Sequence, residues 1–201
     1  MPTPRLVLAS TSRYRRALLE RLGVPFTAAA PRCDEGAYPG LAPDDLALTL
    51  ARDKAESLAA AYPGALIIGS DQVVDLGGRI LGKPGTAARA REQLAAMAGR
   101  SHRLVTAVAV HDARGGHTTT AVDVHLMTMR PLDQAAIAAY VAHDRPLDCA
   151  GSYLLELRGI ALFDRIEADP ETADDTAIIG LPLMKTLRLL RERGYDVLGQ
   201  P

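Results

Sequence analysis

Cysteine, tryptophan and long apolar runs are scarce or missing in this chain, and each shortage removes a class of protein. The 201 residues include two cysteines, Cys33 and Cys149. They stand far apart without C-x-x-C spacing, so neither a disulfide framework nor a structural zinc site is expected, and both are read as buried or incidental thiols. The five histidines are dispersed and form no His/Cys cluster. No apolar run approaches the roughly 20 residues that cross a bilayer, so no membrane span is expected. The opening MPTPRLVLASTSRYRR carries an apolar patch of about five residues, short of the roughly seven of a signal-peptide core, and a cytoplasmic location is the expectation. Neither sign of charge is in excess: 23 Lys and Arg stand against 24 Asp and Glu, for a formal net charge of -1. With no tryptophan and 4% aromatic residues, the chain has neither the basic stripe nor the stacking platforms of a nucleic-acid binder. A nucleic-acid polymer is disfavoured as a partner; a mononucleotide is not. There is no G-x-S-x-G elbow to make a serine a nucleophile, no internal repeat and no low-complexity tract.

What remains is an ordinary globular composition, 48% hydrophobic and 23% charged, long enough for a single domain over residues 1–201. Residues 5–9 (RLVLA) read as a short buried strand and 12–22 as a helix with Leu18, Leu19 and Leu22 on one face. VPFTAAA supplies a second strand, and 42–62 a long helix that Asp44 or Asp45 can cap. ALIIGSDQVVDL is a strand, Gly77-Gly78 a two-residue hairpin turn, and RILGK the antiparallel return. A helix at about 86–97, a long hairpin turning at 114–116, a helix at 133–142, a Pro- and Gly-punctuated stretch and a terminal helix with Pro182 in its first turn complete the chain. The class is α/β with a mixed sheet.

GSDQVVDLGGRILGKPG, residues 69–85, nearly matches the phosphate-binding pattern G-x-x-x-x-G-K-[ST] at Gly77, Gly82 and Lys83. Pro84 stands where the hydroxyl should be, and removes an amide donor besides. A strand pair surrounds the glycines, so a P-loop is rejected. Asp71 is harder to set aside, because a lone acid on a buried apolar strand needs a cation, whether a metal ion or a lysine. Asp34-Glu35, in a loop after a strand, is either a turn or a source of hard oxygen ligands for Mg²⁺. Arg13, Arg15, Arg16 and Lys54 read singly as solvated helix charges, and Ser10 as a helix cap.

LASTSRYRRALLERLGVPF, the acids Asp34-Glu35, LARDKA, GSDQVV, LGKP, DCAGSY and GLPL stand in an order that resembles the Maf-like nucleoside triphosphate pyrophosphatases over almost the whole chain. GSDQVV and CAGSY with an acid at Glu156 are more similar to the branch acting on 7-methyl-GTP than to the one acting on dTTP and UTP. The resemblance implies a mixed twisted sheet with flanking helices, in two lobes around a deep cleft. It also implies metal-dependent cleavage, with Mg²⁺ or Mn²⁺, between the α- and β-phosphates to give a nucleoside monophosphate and pyrophosphate. Carried over by position, Asp71 and Glu35 are catalytic and metal-binding, Ser10, Arg15, Lys54 and Lys83 hold phosphate, and Glu156 and Gln72 read the base. A homodimer is what the resemblance suggests. Arg13 departs from the pattern, since members commonly have proline there. A pyrophosphatase for dTTP, UTP or other modified nucleotides is the alternative in the same chemistry. A nucleotide-binding regulator of septum formation without turnover is the alternative of another class, against which Asp71, Glu35 and the two lysines speak.

Overall fold

The computed structural model of the chain describes residues 4–199. Leu6–Ala9 forms β1, Arg13–Glu20 α1 and Phe26–Ala29 β2. The two strands pair in parallel, Leu6 opposite Phe26, as strands joined through a crossover helix do. Ser12 caps α1 by accepting from the Arg15 amide, so the helix starts at Arg13 without the proline common there. The next helix, α2, spans Pro43–Glu56 and differs from expectation at both ends. Ala42 is its N-cap without a side-chain bond and Pro43 takes the first turn, so Asp44 and Asp45 act on the helix dipole rather than as caps. It stops at Glu56, not at 62, because the Ser57 hydroxyl turns back onto the Lys54 carbonyl at 2.8 Å and tight turns follow.

Leu66–Leu76 is β3, parallel to β1, and Arg79–Leu81 is β4, antiparallel to it with Val74 opposite Leu81. Gly77 and Gly78 have φ +61° and +89°, the left-handed pair that a two-residue hairpin needs. Ala87–Met97 (α3, capped by Thr86), Ser101–Asp112 (β5), His117–Met129 (β6) and Gln134–Asp144 (α4, capped by Asp133) follow. β5 and β6 are hydrogen-bonded neighbours joined by the turn at 113–116. Phe163–Ala168 forms β7, antiparallel to β6, inside the stretch read as punctuation. Its period is broken by a bulge: Met129 pairs with Phe163 and Thr128 with Arg165, so Asp164 is extra and the half-buried Phe163 and Ile166 stand an odd distance apart. Short α5 (Thr176–Ile179) and α6 (Leu183–Glu192, after Pro182) complete the elements used below.

The strands hydrogen-bond in the order β2-β1-β3-β5-β6-β7 with β4 on β3, a mixed seven-stranded sheet. By its internal contacts the chain divides into two compact units. The first comprises residues up to Asp71, Thr106–Asp123 and Asp174 onward; the second comprises Gln72–Val105 and Val124–Ala173. In the first unit β1 and the start of β3, buried throughout, pack with Leu18, Leu19, Val108, Val110, Leu189 and Leu190. The second unit contains an aromatic cluster of His102, Tyr153 and Phe163, in which burial lowers the His102 imidazole to about 4. No helix among the described residues is long and apolar enough to cross a membrane.

Candidate active site

In the first unit the packing of α2 on β3 brings two sequence-predicted residues together. Ala47, Ala51 and Ala55 recur every fourth residue along α2 and are fully buried, and the strand opposite offers Gly69. A Cβ at Gly69 would lie 2.2 Å from the Ala51 carbonyl oxygen and 2.7 Å from the Ala55 nitrogen. Backbone therefore meets backbone, with no room for a side chain. This close approach carries Lys54, on the same helix, to Asp71, two residues along the strand from Gly69. Both are buried, and Lys54 Nζ donates to Asp71 Oδ1 at 2.5 Å. The lone acid on an apolar strand thus has its cation.

Glu35 completes a triad. Its Oε1 lies 2.6 Å from Lys54 Nζ, although its side chain is 52% exposed. The structure separates the Asp34-Glu35 pair by role: Asp34 Oδ1 accepts from the Gly36 amide and makes the turn, and Glu35 faces the lysine. The loop is held to α2 on both sides of Glu35. The Arg32 amide donates to Ser57 Oγ at 3.0 Å, and the Tyr38 hydroxyl to Asp53 Oδ2 at 2.5 Å. Tyr38, Asp53 and Ser57 are residues that sequence reasoning missed.

Arg15 lies on α1, half-buried. Its Nε donates to the Gly180 carbonyl at 2.9 Å, and that oxygen also accepts from Ser70 Oγ at 2.9 Å. The two terminal nitrogens of the guanidinium find no acceptor among the described residues. Burial pulls the Arg15 pKa down from its ordinary value, and the charges of Asp71 and Glu35 pull it back up. Gly180 is itself fixed by its loop: Asp174 Oδ1 accepts from the Thr176 amide and hydroxyl, Asp174 Oδ2 from the Met184 amide, and the Thr176 hydroxyl from the Leu183 amide. Ser10, buried at the end of β1, is not the cap of α1; its Oγ accepts from the Ser12 amide at 3.1 Å, and its own proton has no acceptor among the described residues. The amides of Ser12 and Arg15 are occupied by Ser10 and Ser12, which reduces the donors expected from this helix start.

Lys83, Gln72 and Glu156 belong to the second unit. Lys83 is exposed two residues beyond β4, with no partner among the described residues. Helix α3 begins only at Ala87, so Gly82-Lys83 opens no helix and the P-loop is absent there. Gln72 is half-buried next to Asp71 on β3, and strand alternation turns it to the opposite face. Glu156 sits exposed in a tight loop in which the Leu154 carbonyl accepts from the Leu157 and Gly159 amides, both at 3.1 Å. Among the described residues no group of three or more His, Cys, Asp or Glu is placed to hold a metal. Cys33 and Cys149 are half-buried and neither is in a disulfide.

Comparison with known proteins adds the lineage. A 7-methyl-GTP pyrophosphatase of Bordetella pertussis is 51% identical over 98% of this chain and 97% of its own length. One of Xanthomonas campestris is 47% identical over 96% and 98%. Among solved structures, a HAM1 protein from Coxiella burnetii superposes with a TM-score of 0.53 at 17% identity, covering 94% of this chain and all of that one, which extends the likeness to the fold alone. The family described as Maf-like protein matches residues 5–193, and the chain belongs to it.

Proposed function

We propose that this chain is a nucleoside triphosphate pyrophosphatase that converts 7-methyl-GTP and water to 7-methyl-GMP and pyrophosphate. The observation that carries the reading is the Asp71–Lys54–Glu35 triad, a buried ion pair joined by a more exposed glutamate, with the unsatisfied end of Arg15 within its electrostatic reach. An unengaged guanidinium end offers paired donors to phosphate oxygens, and the Ser10 hydroxyl and Lys83 ammonium offer single ones. The names of relatives at 47–51% identity support the substrate.

In this reading a water oxygen attacks the α-phosphorus, the bond to the bridging oxygen breaks, and pyrophosphate leaves. Asp71 accepts the proton of that water, and Lys54 holds the Asp71 carboxylate in place for it. Arg15 and Ser10 hold phosphate oxygens on the first unit, Lys83 is the donor that the second unit offers to phosphate, and the bridge from Lys54 to Glu35 keeps the exposed carboxylate beside the buried one.

Residues fit a divalent cation here in one respect that can be tested: two carboxylates converge on a single ammonium and together outweigh its charge. Glu35 and Asp71 are the oxygen donors that would hold it, and two carboxylates completed by substrate phosphates are what Mg²⁺ ordinarily takes. Such an ion supplies charge neutralisation at the phosphates. The deciding experiment incubates the purified protein with canonical and modified triphosphates and Mg²⁺ or Mn²⁺ and identifies the products. Pyrophosphate and monophosphate are expected; orthophosphate as the first product overturns the reading.

Glu156 tests the substrate. N7-methylation puts positive charge on guanine, while its N1-H and N2-H donate, so a carboxylate gains from both. Uracil and thymine present one N-H between two carbonyl oxygens, which a carboxylate repels. Glu156→Gln is expected to lower kcat/KM for 7-methyl-GTP by about ten- to a hundredfold, the loss of a charge-assisted hydrogen bond, and to leave UTP unchanged or improved. An unchanged ratio between the substrates removes Glu156 from base recognition.

A further inference from the structure

Gln93, on α3, belongs to none of the motifs and none of the charge cluster, yet its amide is engaged at both ends. Its Nε2 donates to the Gly82 carbonyl at 3.0 Å, and its Oε1 accepts from the Ser152 hydroxyl at 2.5 Å. All three residues lie in the second unit. Gly82 immediately precedes Lys83, and Ser152 begins the segment that leads to Glu156. A second tie joins the same segments, since the Gly85 amide donates to the Leu147 carbonyl at 3.0 Å.

The Ser152 end is built under constraint. Ser152 is fully buried and holds φ +63°, a left-handed conformation that side chains rarely adopt, next to Gly151 at +71°. Such strain persists only where the surroundings over-determine it. From there to Glu156 the path is fixed at each step. The Tyr140 hydroxyl accepts from the Leu154 amide at 2.9 Å, and the Leu154 carbonyl closes the loop onto Leu157 and Gly159. A Cβ at Gly159 would stand 2.3 Å from that carbonyl oxygen, so the closure excludes any larger residue.

We infer that Gln93 is a positioning residue that sets the spacing between Lys83 and Glu156, so that the second unit gauges a nucleoside triphosphate by the distance from its phosphate chain to its base. The inference rests on the roles proposed above for those two residues. It needs an amide for a chemical reason: one end must donate to a carbonyl and the other accept from a hydroxyl, which a primary amide does and a carboxylate does not. A ligand that engages only Lys83 is indifferent to the spacing, and one that spans both residues is sensitive to it.

The test uses the full chain, with 7-methyl-GTP as substrate and inorganic tripolyphosphate, which has no base, as competitive inhibitor. Gln93→Glu keeps the bond from Ser152 and sets a carboxylate against the Gly82 carbonyl. Ser152→Gly removes the hydroxyl while accommodating the left-handed backbone, so the other arm is broken without new strain. Each is expected to raise KM for 7-methyl-GTP about tenfold with kcat within about threefold, and to leave the Ki of tripolyphosphate within about threefold. If KM and Ki rise together, or only the melting temperature falls, Gln93 is merely structural and the inference is overturned. If the wild-type chain turns over no triphosphate, the proposed function is lost. The same comparison is then read as dissociation constants, and equal weakening of both ligands overturns the spacing role on its own.

Discussion

Asp71→Asn is expected to reduce turnover of 7-methyl-GTP by at least about a hundredfold with the fold retained, the scale of a lost general base or metal ligand. The substitution keeps the shape of the side chain and removes only its charge and basicity. Its amide oxygen can still accept from Lys54, and the lysine keeps Glu35, so no buried cation is left alone. Nucleotide binding should survive in part, because Arg15, Ser10 and Lys83 are untouched. The check is steady-state kinetics beside thermal unfolding. Turnover within threefold of wild type would make Asp71 a structural ion-pair partner and sink the mechanism.

Gly69→Ala is expected to be the most damaging small substitution in the first unit. The added methyl carbon would fall 2.2 Å from the Ala51 carbonyl oxygen and 2.7 Å from the Ala55 nitrogen. Both obstacles are main-chain atoms of α2, which cannot rotate away, so the helix must shift off the strand. Overpacking of this kind costs about 3 kcal/mol, near the upper end of its usual range. For a chain of this size that lowers Tm by roughly 6–12 °C. The protein that still folds should also lose activity, because the shift parts Lys54 from Asp71, and an ångström of misplacement can cost about a hundredfold. Gly77→Ala is the control: its backbone is left-handed where that of Gly69 is not, but nothing lies within 4 Å of the new carbon, so stability falls by about 1 kcal/mol and the triad is undisturbed. Equal activity in Gly69→Ala and wild type would show that the triad tolerates displacement of α2.

Much of the fold was legible because it is written in local patterns. The apolar stretches at the two ends of β3, the paired glycines after it and the β-α-β opening depend on neighbours a few residues apart. Asp71 stood out for the same reason, as a charge where burial forbids an unpaired one. What escaped depends on partners that leave no periodic trace. Gly180 is 165 residues from Arg15, and their bond uses a carbonyl, which every residue has. Tyr38 and Asp53 look like ordinary surface residues until the loop between them is closed. β7 escaped because the bulge at Asp164 puts its inward residues out of phase. The residue types alone do not separate Glu35 from Asp34; the resemblance chose Glu35, and the turn made by Asp34 gives the physical reason.

The way Arg15 is docked has a consequence for how the protein meets an anion. Arginines in binding sites are often steered by a carboxylate, which fixes the side chain but cancels most of its charge. Here the steering atom is the neutral carbonyl oxygen of Gly180, and that oxygen is shared with Ser70. The guanidinium is therefore aimed with no carboxylate bonded to it, although Asp71 and Glu35 act on it through space, and its terminal nitrogens are kept for whatever arrives. Since the aiming bond is made by Nε, an atom that lysine lacks, a lysine at this position would carry the same charge with no direction.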